Sequence, residues 1–339
     1  MTTEPLRFGV LSTANIARAF IAGVAPSQRL KVTTVASRDG AKAESFARET
    51  GLPGSHASYE ALLADPEIDA IYNPLPNSLH AEWAIRAVEA GKHVLCEKPL
   101  AASEAEARAM FAAASRHGVA LVEAYPYQAQ PQTLKLRELL QAGAVGQPQV
   151  MQATIGFTIA DAQNIRLDAA LAGGALMDAG SYPVSLVRLV AGERPEWVEA
   201  AARWTESGVD RSLVASIGFR SGFLAQIACS FSTGFHRHAL IAGDDGVIET
   251  SFLNHPPAGG GALRLLVKRG RENRGDYEAI EVESRNGFLL EAEAFVGLVR
   301  QGTAHWTGAS QLESLDIMAT LEAILASARS GRRVALASA

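Results

Sequence analysis

Residues 6–36 read LRFGVLSTANIARAFIAGVAPSQRLKVTTVA and contain three segments with different patterns. Two apolar runs, Leu6–Leu11 and Lys31–Ala36, predict buried β-strands. Between them, Ala14–Val24 carries apolar residues at the three- and four-residue spacing of a helix. A strand, a helix and a second strand in this order typically form a parallel pair joined by a right-handed crossover. The segment therefore predicts the start of a doubly wound α/β domain.

The same alternation continues to about residue 124. Further strands are predicted at Ala70–Asn73, His93–Glu97 and Ala120–Glu123, and further helices at Ala41–Thr50, Leu79–Ala90 and Glu104–Ser115. Gly51, Gly91 and Gly118 follow helical segments, and glycine readily adopts the left-handed conformation that ends many helices. We predict that residues 1–124 form a Rossmann domain, α/β with a parallel sheet.

After Tyr125 the pattern becomes rich in strands with few helices between them. The predicted strands are Gln149–Thr158, Trp197–Trp204, Leu213–Phe219, Phe223–Ser230, Ala239–Ala242, Val247–Thr250, Arg264–Lys268 and Ala279–Glu283. The predicted helices lie near Thr133–Ala142, Ala175–Val190, Phe288–Arg300 and Leu312–Ser330. A turn at Arg220–Gly222 predicts a hairpin, and Gly259–Gly261 predicts a mobile loop. Residues 125–339 should form an α+β domain with a large, mostly antiparallel open sheet, whose last helix could pack back on the first domain.

Composition narrows the classes of function. The 339 residues are 48% hydrophobic and 20% charged with a net charge of −5, which is typical of a globular protein without the cationic surface that nucleic acid requires. No segment approaches the length of a membrane span, and we expect a cytoplasmic protein with no membrane partner. Cys96 and Cys229 lie in apolar runs and predict buried thiols, with neither a disulfide nor a metal site.

The first strand ends in a turn of small residues that could hold a phosphate. In a dinucleotide site three glycines allow a tight turn, close approach of the pyrophosphate and close helix packing. Ser12, Ala14 and Ala17 occupy the three glycine positions here. Small residues fill each place where bulk would clash, and the following helix offers free amides and a positive dipole end. The candidate phosphate-binding residues are Ser12, Thr13, Ala14, Asn15 and Ile16. An ordinary tight turn is the alternative.

The second predicted strand ends in Ser37, Arg38 and Asp39. An acidic side chain at this place would bind the ribose hydroxyls of NAD, whereas a hydroxyl and a guanidinium suit the 2′-phosphate of NADP. We therefore expect Ser37 and Arg38 to bind NADP, with NAD as the other cofactor that the fold could accept. The alternative is that Arg38 is a solvated charge and Asp39 caps the next helix.

Two further loops follow strands at the same edge of the predicted sheet. Residues 73–80 contain two prolines that predict a rigid loop. Ligands of open α/β sheets bind at this edge, so the candidate cofactor residues here are Pro74, Leu75, Asn77 and His80. Asn77 could instead cap a helix, and His80 could be an ordinary residue of its first turn.

The fifth predicted strand ends in Glu97-Lys98-Pro99, a charged pair after an apolar run. An amine in this place can donate to a substrate oxygen and stabilise the charge that develops on it. A strand-end salt bridge exposed to water is the alternative. Both charged residues are candidates for contact with the cofactor.

With the Glu97-Lys98-Pro99 motif included, the chain resembles the Gfo/Idh/MocA oxidoreductases. Its motifs are most similar to those of the branch that contains dimeric dihydrodiol dehydrogenases and NADP-dependent xylose dehydrogenases. The resemblance rests on the segment at 9–17, the Ser37-Arg38 pair, the proline loop with His80, residues 90–99 and a second-domain segment at 173–182. It implies an NADP-dependent dehydrogenase acting on a sugar, polyol or trans-diol, and a homodimer.

The second-domain segment reads GGALMDAGSY from Gly173 to Tyr182. On a helix Asp178 and Tyr182 would face the same way. The resemblance implies that Lys98, Asp178 and Tyr182 line the reaction centre. Tyr182 would exchange the proton of the reacting hydroxyl, Lys98 would lower the pKa of the tyrosine and polarise the oxygen, and Asp178 would orient a substrate hydroxyl.

The segment Tyr125–Gln132 departs from that branch, which tends to carry Arg and His where this chain has Gln128 and Gln130. The loss of these cationic donors argues against transferring any single relative's substrate. Two other activities stay open: a catalytically silent NADP-binding regulator, and a sugar–sugar oxidoreductase that keeps its nucleotide bound.

Overall fold

The computed structural model describes residues 4–256, 261–272 and 275–337. The chain divides into two compact units, Met1–Ala129 with Arg285–Gln311 and Gln130–Ser284 with Leu312–Ala339. The division of the chain after residue 124 and the role of each domain stay predictions. Most of the loop expected at 259–261 lies outside the described residues.

The first unit contains a six-stranded, all-parallel sheet in the order β3-β2-β1-β4-β5-β6. Its strands are β1 (Leu6–Leu11), β2 (Leu30–Ala36), β3 (Gly54–His56), β4 (Ala70–Asn73), β5 (His93–Glu97) and β6 (Leu121–Ala124). Its helices up to this point are α1 (Asn15–Val24), α2 (Gly40–Thr50), α3 (Tyr59–Leu63), α4 (His80–Glu89) and α5 (Glu104–His117). This strand order is that of the Rossmann fold, so the predicted α/β architecture is confirmed.

The second unit contains a nine-stranded sheet that is antiparallel except where β7 and β10 pair. Its elements are α6 (Pro131–Gln141), β7 (Pro148–Thr158), α7 (Ser181–Ala191), β8 (Trp197–Trp204), β9 (Asp210–Gly218), β10 (Leu224–Ser230), β11 (Ser232–Gly243), β12 (Gly246–Thr250), β13 (Leu263–Arg269) and β14 (Glu278–Val282). The predicted hairpin is confirmed, because Phe219 and Phe223 pair across its turn. The mostly antiparallel sheet is confirmed as well.

The chain then returns to the first unit as α8 (Gly287–Gln301) and ends in the second unit with α9 (Gln311–Ser330) and β15 (Val334–Ala335). Aromatic side chains attach α8 to the parallel sheet. Phe295 meets Phe8 edge-on at 5.8 Å between ring centroids, and Phe288 meets Phe20 at 5.8 Å. Phe20 stacks in turn on Tyr72 at 3.8 Å. Burial of such large apolar surfaces holds this late segment on the Rossmann core.

Cys96 and Cys229 are buried free thiols, as expected. Among the described residues, no helix combines the length and the apolar character that a membrane crossing requires.

Candidate active site

The turn after β1 has a left-handed residue at the first of its three small positions. Ser12, at the place of the first fingerprint glycine, has φ +81°, a left-handed conformation that glycine adopts most readily. Its amide donates to the Ala36 carbonyl, and its hydroxyl accepts from the Ala14 amide at 3.3 Å. Ala14 starts α1 without a side-chain cap, and the first turn of the helix carries no acid. The residues present therefore fit a bound pyrophosphate.

At the end of β2, Ser37 is buried and Arg38 is exposed. The Arg38 guanidinium lies beside the Tyr59 hydroxyl, where burial raises the pKa of that phenol and Arg38 opposes the change. Asp39 caps α2 by accepting from the Lys42 amide, as one alternative expected. The exposed guanidinium is thus presented at the sheet edge without an acidic side chain in the position that selects for NAD.

His80 braces the two loops that follow β4 and β5. Its ring nitrogens lie 2.7 Å from the Leu75 carbonyl oxygen and 2.8 Å from that of Pro99. Asn73 completes the brace by donating to the His80 carbonyl and accepting from the Leu75 amide. Burial lowers the pKa of His80 to about 4, and the nearby charge of Lys98 acts in the same direction. Because His80 is 1% exposed and both nitrogens face main-chain oxygens, it shapes the loops in this structure.

The loop carrying Lys98 rests on buried carboxyl groups. Glu97 accepts from the Tyr72 hydroxyl at 2.6 Å, and Glu123 accepts from the Leu100 amide at 2.9 Å. Glu291 on α8 lies in the same region, and burial, reinforced by the charges of Glu97 and Glu123, raises its pKa well above the usual range. Lys98 itself is partly exposed after this buried strand. Sequence reasoning missed Glu123 and Glu291, because neither stands in a motif that separates it from an ordinary strand or helix residue.

Asp178 and Tyr182 lie on consecutive turns, but the first of these is a π-turn over Leu176–Gly180 that precedes α7. Asp178 accepts from Arg166 Nε at 2.8 Å. The buried Asp210 holds the start of the turn by accepting from the Leu176 amide at 2.7 Å. A Cβ at Gly174 would lie 2.3 Å from Asp210 Oδ1, which explains the glycine there. The carboxylate of Asp178 is thereby placed one turn before the phenol.

Two polar side chains that the sequence analysis did not assign to Tyr182 contact it. Asn254 Nδ2 donates to the phenol oxygen at 2.8 Å, and the Arg237 guanidinium carbon lies 4.1 Å from the centroid of the ring. Gln130 Nε2 donates to the Asn254 carbonyl at 2.7 Å. Gln132 binds the Arg264 carbonyl at 2.8 Å. Gln130 of the divergent 125–132 segment thus supports the loop that contacts the tyrosine.

No group of three His, Cys, Asp or Glu side chains suited to a metal ion occurs in the described part of the chain.

Comparisons with known proteins agree with this architecture. Residues 6–125 match the family model described as the oxidoreductase family, NAD-binding Rossmann fold, and residues 133–249 match the GFO/IDH/MocA C-terminal domain. The D-xylose 1-dehydrogenase (NADP(+)) 2 of Haloferax volcanii is 36% identical over 98% of this chain and 100% of its own length. The trans-1,2-dihydrobenzene-1,2-diol dehydrogenase of Danio rerio is 34% identical over 72% of this chain and 74% of its own length.

Solved structures cover nearly the whole chain. An aldose-aldose oxidoreductase from Caulobacter crescentus superposes with a TM-score of 0.88 at 26% identity, covering 98% of this chain and 100% of the other. A 3-ketoreductase from Actinomadura kijaniata, in complex with NADP and TDP-benzene, superposes with a TM-score of 0.85 at 30% identity, covering 96% and 98%. With both domain models and a full-length relative in agreement, this chain belongs to the Gfo/Idh/MocA family of NAD(P)-dependent oxidoreductases.

Proposed function

We propose that this protein transfers a hydride between NADP and a secondary alcohol or hemiacetal carbon of a sugar, polyol or trans-diol. The observation that carries the proposal is the retention of Lys98 after a buried strand together with Asp178 and Tyr182 one turn apart. Full-length similarity to a protein named as an NADP-linked xylose dehydrogenase supports the substrate class.

NADP is the cofactor that the residues favour over NAD. Arg38 is exposed at the end of β2, where a guanidinium can bind two oxygens of a 2′-phosphate. Residues Ser12–Ile16 would hold the pyrophosphate, and the loops at Pro74–Asn77 and Glu97–Lys98, with His80 as their brace, would line the remainder of the cofactor. When bound, NADP supplies the hydride acceptor or donor.

Side chains of the protein would accept and return the proton of the reacting hydroxyl. In oxidation Tyr182 accepts this proton, and in reduction it returns one to the carbonyl oxygen. Lys98 donates to the same oxygen and opposes the accumulation of negative charge on it. Asp178, which Arg166 contacts in this structure, accepts from a neighbouring substrate hydroxyl and so orients the carbon that reacts.

A sugar–sugar oxidoreductase is the second candidate, favoured by the similarity to an aldose-aldose oxidoreductase. Such an enzyme would retain NADP through dialysis and would convert one sugar while reducing another. A catalytically silent regulator is less consistent with the sequence, because a sensor has no use for the proton-transfer set of Lys98, Asp178 and Tyr182.

We also propose that residues 1–124 bind NADP and residues 125–339 bind the substrate and form a homodimer. Val150, Val214 and Leu224 support the second part, since they are 44%, 56% and 47% exposed on β7, β9 and β10 of the open sheet. An exposed apolar surface on adjacent strands suits pairing with a copy of itself.

The test of function begins with calorimetric titration of NADP and NAD into the dialysed protein. Absorbance at 340 nm then follows NADPH formation with a panel of aldoses, polyols and trans-diols. We expect tighter binding of NADP and turnover with at least one member of the panel. Binding of NADP without turnover of any member, in either direction, would contradict the proposal and favour the regulator.

A further inference from the structure

Tyr182 accepts a hydrogen bond from Asn254, and the neighbouring arginine fixes the direction of that bond. Arg237 Nη2 donates to Asn254 Oδ1 at 3.2 Å. A guanidinium has only donors, so the atom facing it must be the amide oxygen. The amide nitrogen therefore faces Tyr182, where it lies 2.8 Å from the phenol oxygen. An N–H that donates to this oxygen favours its negative form over the neutral hydroxyl.

Arg237 acts on the same tyrosine through the face of its ring. The guanidinium carbon lies 4.1 Å from the Tyr182 centroid and 4.8 Å from that of Phe252. A cation over a phenol ring attracts the electron density of the ring, and this attraction grows when the ring carries a negative charge. Tyr182 is 8% exposed and Phe252 is 1% exposed, so water screens the interaction weakly.

The segment that carries Asn254 is held by a hydrogen bond to its main chain and contains a residue with a left-handed backbone. Gln130 Nε2 donates to the Asn254 carbonyl at 2.7 Å. Phe252 has φ +37°, a backbone conformation that a bulky residue adopts only when its surroundings enforce it. The side chain of Asn254 is thus directed at the phenol by a fixed main chain.

We propose that Asn254 and Arg237 are positioning residues that stabilise the phenolate of Tyr182 and so set the pH range in which it accepts the substrate's proton. This inference rests on the proposed function, in which Tyr182 is the acid–base group. The resemblance implies that Lys98 lowers the pKa of Tyr182. The inference gives part of that effect to Asn254 and Arg237, which lie in the second unit with the tyrosine.

Arg237 is one of several titratable groups on the elements around Tyr182. The elements with the most extensive packing on α7 are β7, β10 and the π-turn. β7 has no titratable side chain, β10 contributes Cys229, and burial raises the pKa of that thiol, which stays neutral. The π-turn contributes Asp178, which is paired with Arg166. On the loop that carries Asn254, burial lowers the pKa of His255, and Arg237 lowers it further.

The remaining groups lie beside these on the same sheet. His236 and His238 alternate with Arg237 along β11, where His238 faces Glu249 and His236 faces the Gly234 carbonyl. On α7 itself Arg188 is paired with Asp316. Asp210 on β9 holds the π-turn.

The experiment titrates the phenol directly, in the protein without cofactor or substrate. Phenolate absorbance at 295 nm is measured against pH for the wild type, Asn254→Asp and Arg237→Met, each with its matched Tyr182→Phe counterpart subtracted. Six tyrosines occur in the chain, and the subtraction isolates Tyr182. The exposed Arg220 in the β9–β10 turn provides a control, Arg220→Met.

We expect the Tyr182 midpoint to rise by about 0.5–1.5 pH units in Arg237→Met, the range that corresponds to the usual strength of a cation over a ring. It should rise in Asn254→Asp as well, because a carboxylate cannot donate to the phenol oxygen. Arg237→Lys and Arg220→Met should keep the wild-type midpoint within about 0.3 units. The acid limb of the kcat profile for oxidation should move by the same amounts.

If the Tyr182 midpoint is unchanged in both Asn254→Asp and Arg237→Met, the inference is overturned, even if both variants lose turnover. If only one variant shifts the midpoint, the inference is overturned for the residue whose variant does not. If Arg237→Met fails to fold, Asn254→Asp, which preserves the shape of the side chain, still decides. The titration does not depend on turnover. The Tyr182 midpoint can therefore stay unshifted, which refutes the inference, while Tyr182→Phe abolishes activity, which supports the proposed function. A fully active Tyr182→Phe would instead refute the proposed function and leave the titration result standing.

Discussion

Ser12 shows how the turn after β1 can adopt a left-handed residue at the first fingerprint position without a glycine. Its φ of +81° is the conformation that the glycine would supply, and its hydroxyl accepts from the Ala14 amide two residues later. Serine can stabilise such a turn through this local hydrogen bond. The sequence predicted that small residues at these positions suffice. The hydrogen bond between the Ser12 hydroxyl and the Ala14 amide could not be predicted from the sequence.

In the proposed function, the choice between NADP and NAD depends on one exposed side chain, Arg38. We predict that Arg38→Ala weakens NADP binding by about 10–100-fold, the usual worth of a charge-assisted pair with a phosphate, and leaves NAD binding unchanged within about twofold. Isothermal titration with both nucleotides measures the effect. Arg48→Ala, which removes an exposed arginine of α2, serves as the control. Equal weakening of both nucleotides would place Arg38 away from the 2′-phosphate.

Residues of the site differ in how visible they are in the sequence. Lys98, Asp178 and Tyr182 stand in segments that resemble a family, and their assignment could be made from the chain alone. Asn254 and Arg237 stand in no such segment, because a loop asparagine and a strand arginine are common residues. Only the fold brings them to the phenol, from positions far along the chain.

Secondary structure was most predictable where strands are buried on both faces. β1, β4 and β5 have the predicted bounds, since each is a short apolar run that ends at a turn. The three-residue β3 was missed, because it is too short to show periodicity. The π-turn before α7 was missed for a different reason. Its apolar spacing is close to that of an α-helix, and the distinction depends on Asp210, which lies on β9.

Asp210, which anchors the π-turn, makes the free energy of unfolding depend on pH. Burial raises the pKa of Asp210 to about 6, above the value of about 3.8 for an ordinary Asp. A carboxyl with a raised pKa in the folded state favours folding below its unfolded pKa, and this contribution is lost as the pH rises through 6. The ionised form is therefore the destabilising one at neutral pH.

We predict that Asp210→Asn, which keeps an acceptor for the Leu176 amide, gains stability relative to the wild type as the pH rises. The difference in free energy of unfolding between variant and wild type should increase by about 2 kcal/mol from pH 4.5 to pH 7. Urea denaturation at the two pH values measures it. A difference that is independent of pH would mean that Asp210 titrates normally in the folded protein.

At the scale of the whole chain, the two units are not consecutive in sequence. Residues 130–284 of the second unit interrupt the first unit, α8 then returns to complete the Rossmann core, and residues 312–339 belong to the second unit again. The sequence predicted α8 as a helix, but a periodic helix carries no signal that identifies the sheet on which it packs. Its aromatic contacts with Phe8 and Phe20 supply that information.

The proposed homodimer makes a prediction at the same scale. Sedimentation equilibrium should give twice the 35.8 kDa of one chain, and Val214→Arg should give a single chain, because it places a charge on the exposed face of the proposed interface. Leu134→Arg, at a residue of α6 that is 41% exposed, should leave the dimer intact. A wild type that sediments as one chain at micromolar concentration would refute the dimer.

The central claim is that Lys98 and Tyr182 act in the transfer step itself, beyond the contact that Lys98 makes with the cofactor. Stopped-flow absorbance at 340 nm, under single-turnover conditions with a substrate found in the panel, measures the transfer step for the wild type, Lys98→Met and Tyr182→Phe. The account predicts a loss of about 10²–10⁴-fold in each variant with NADPH affinity unchanged within about threefold. Transfer at the wild-type rate in either variant would contradict it.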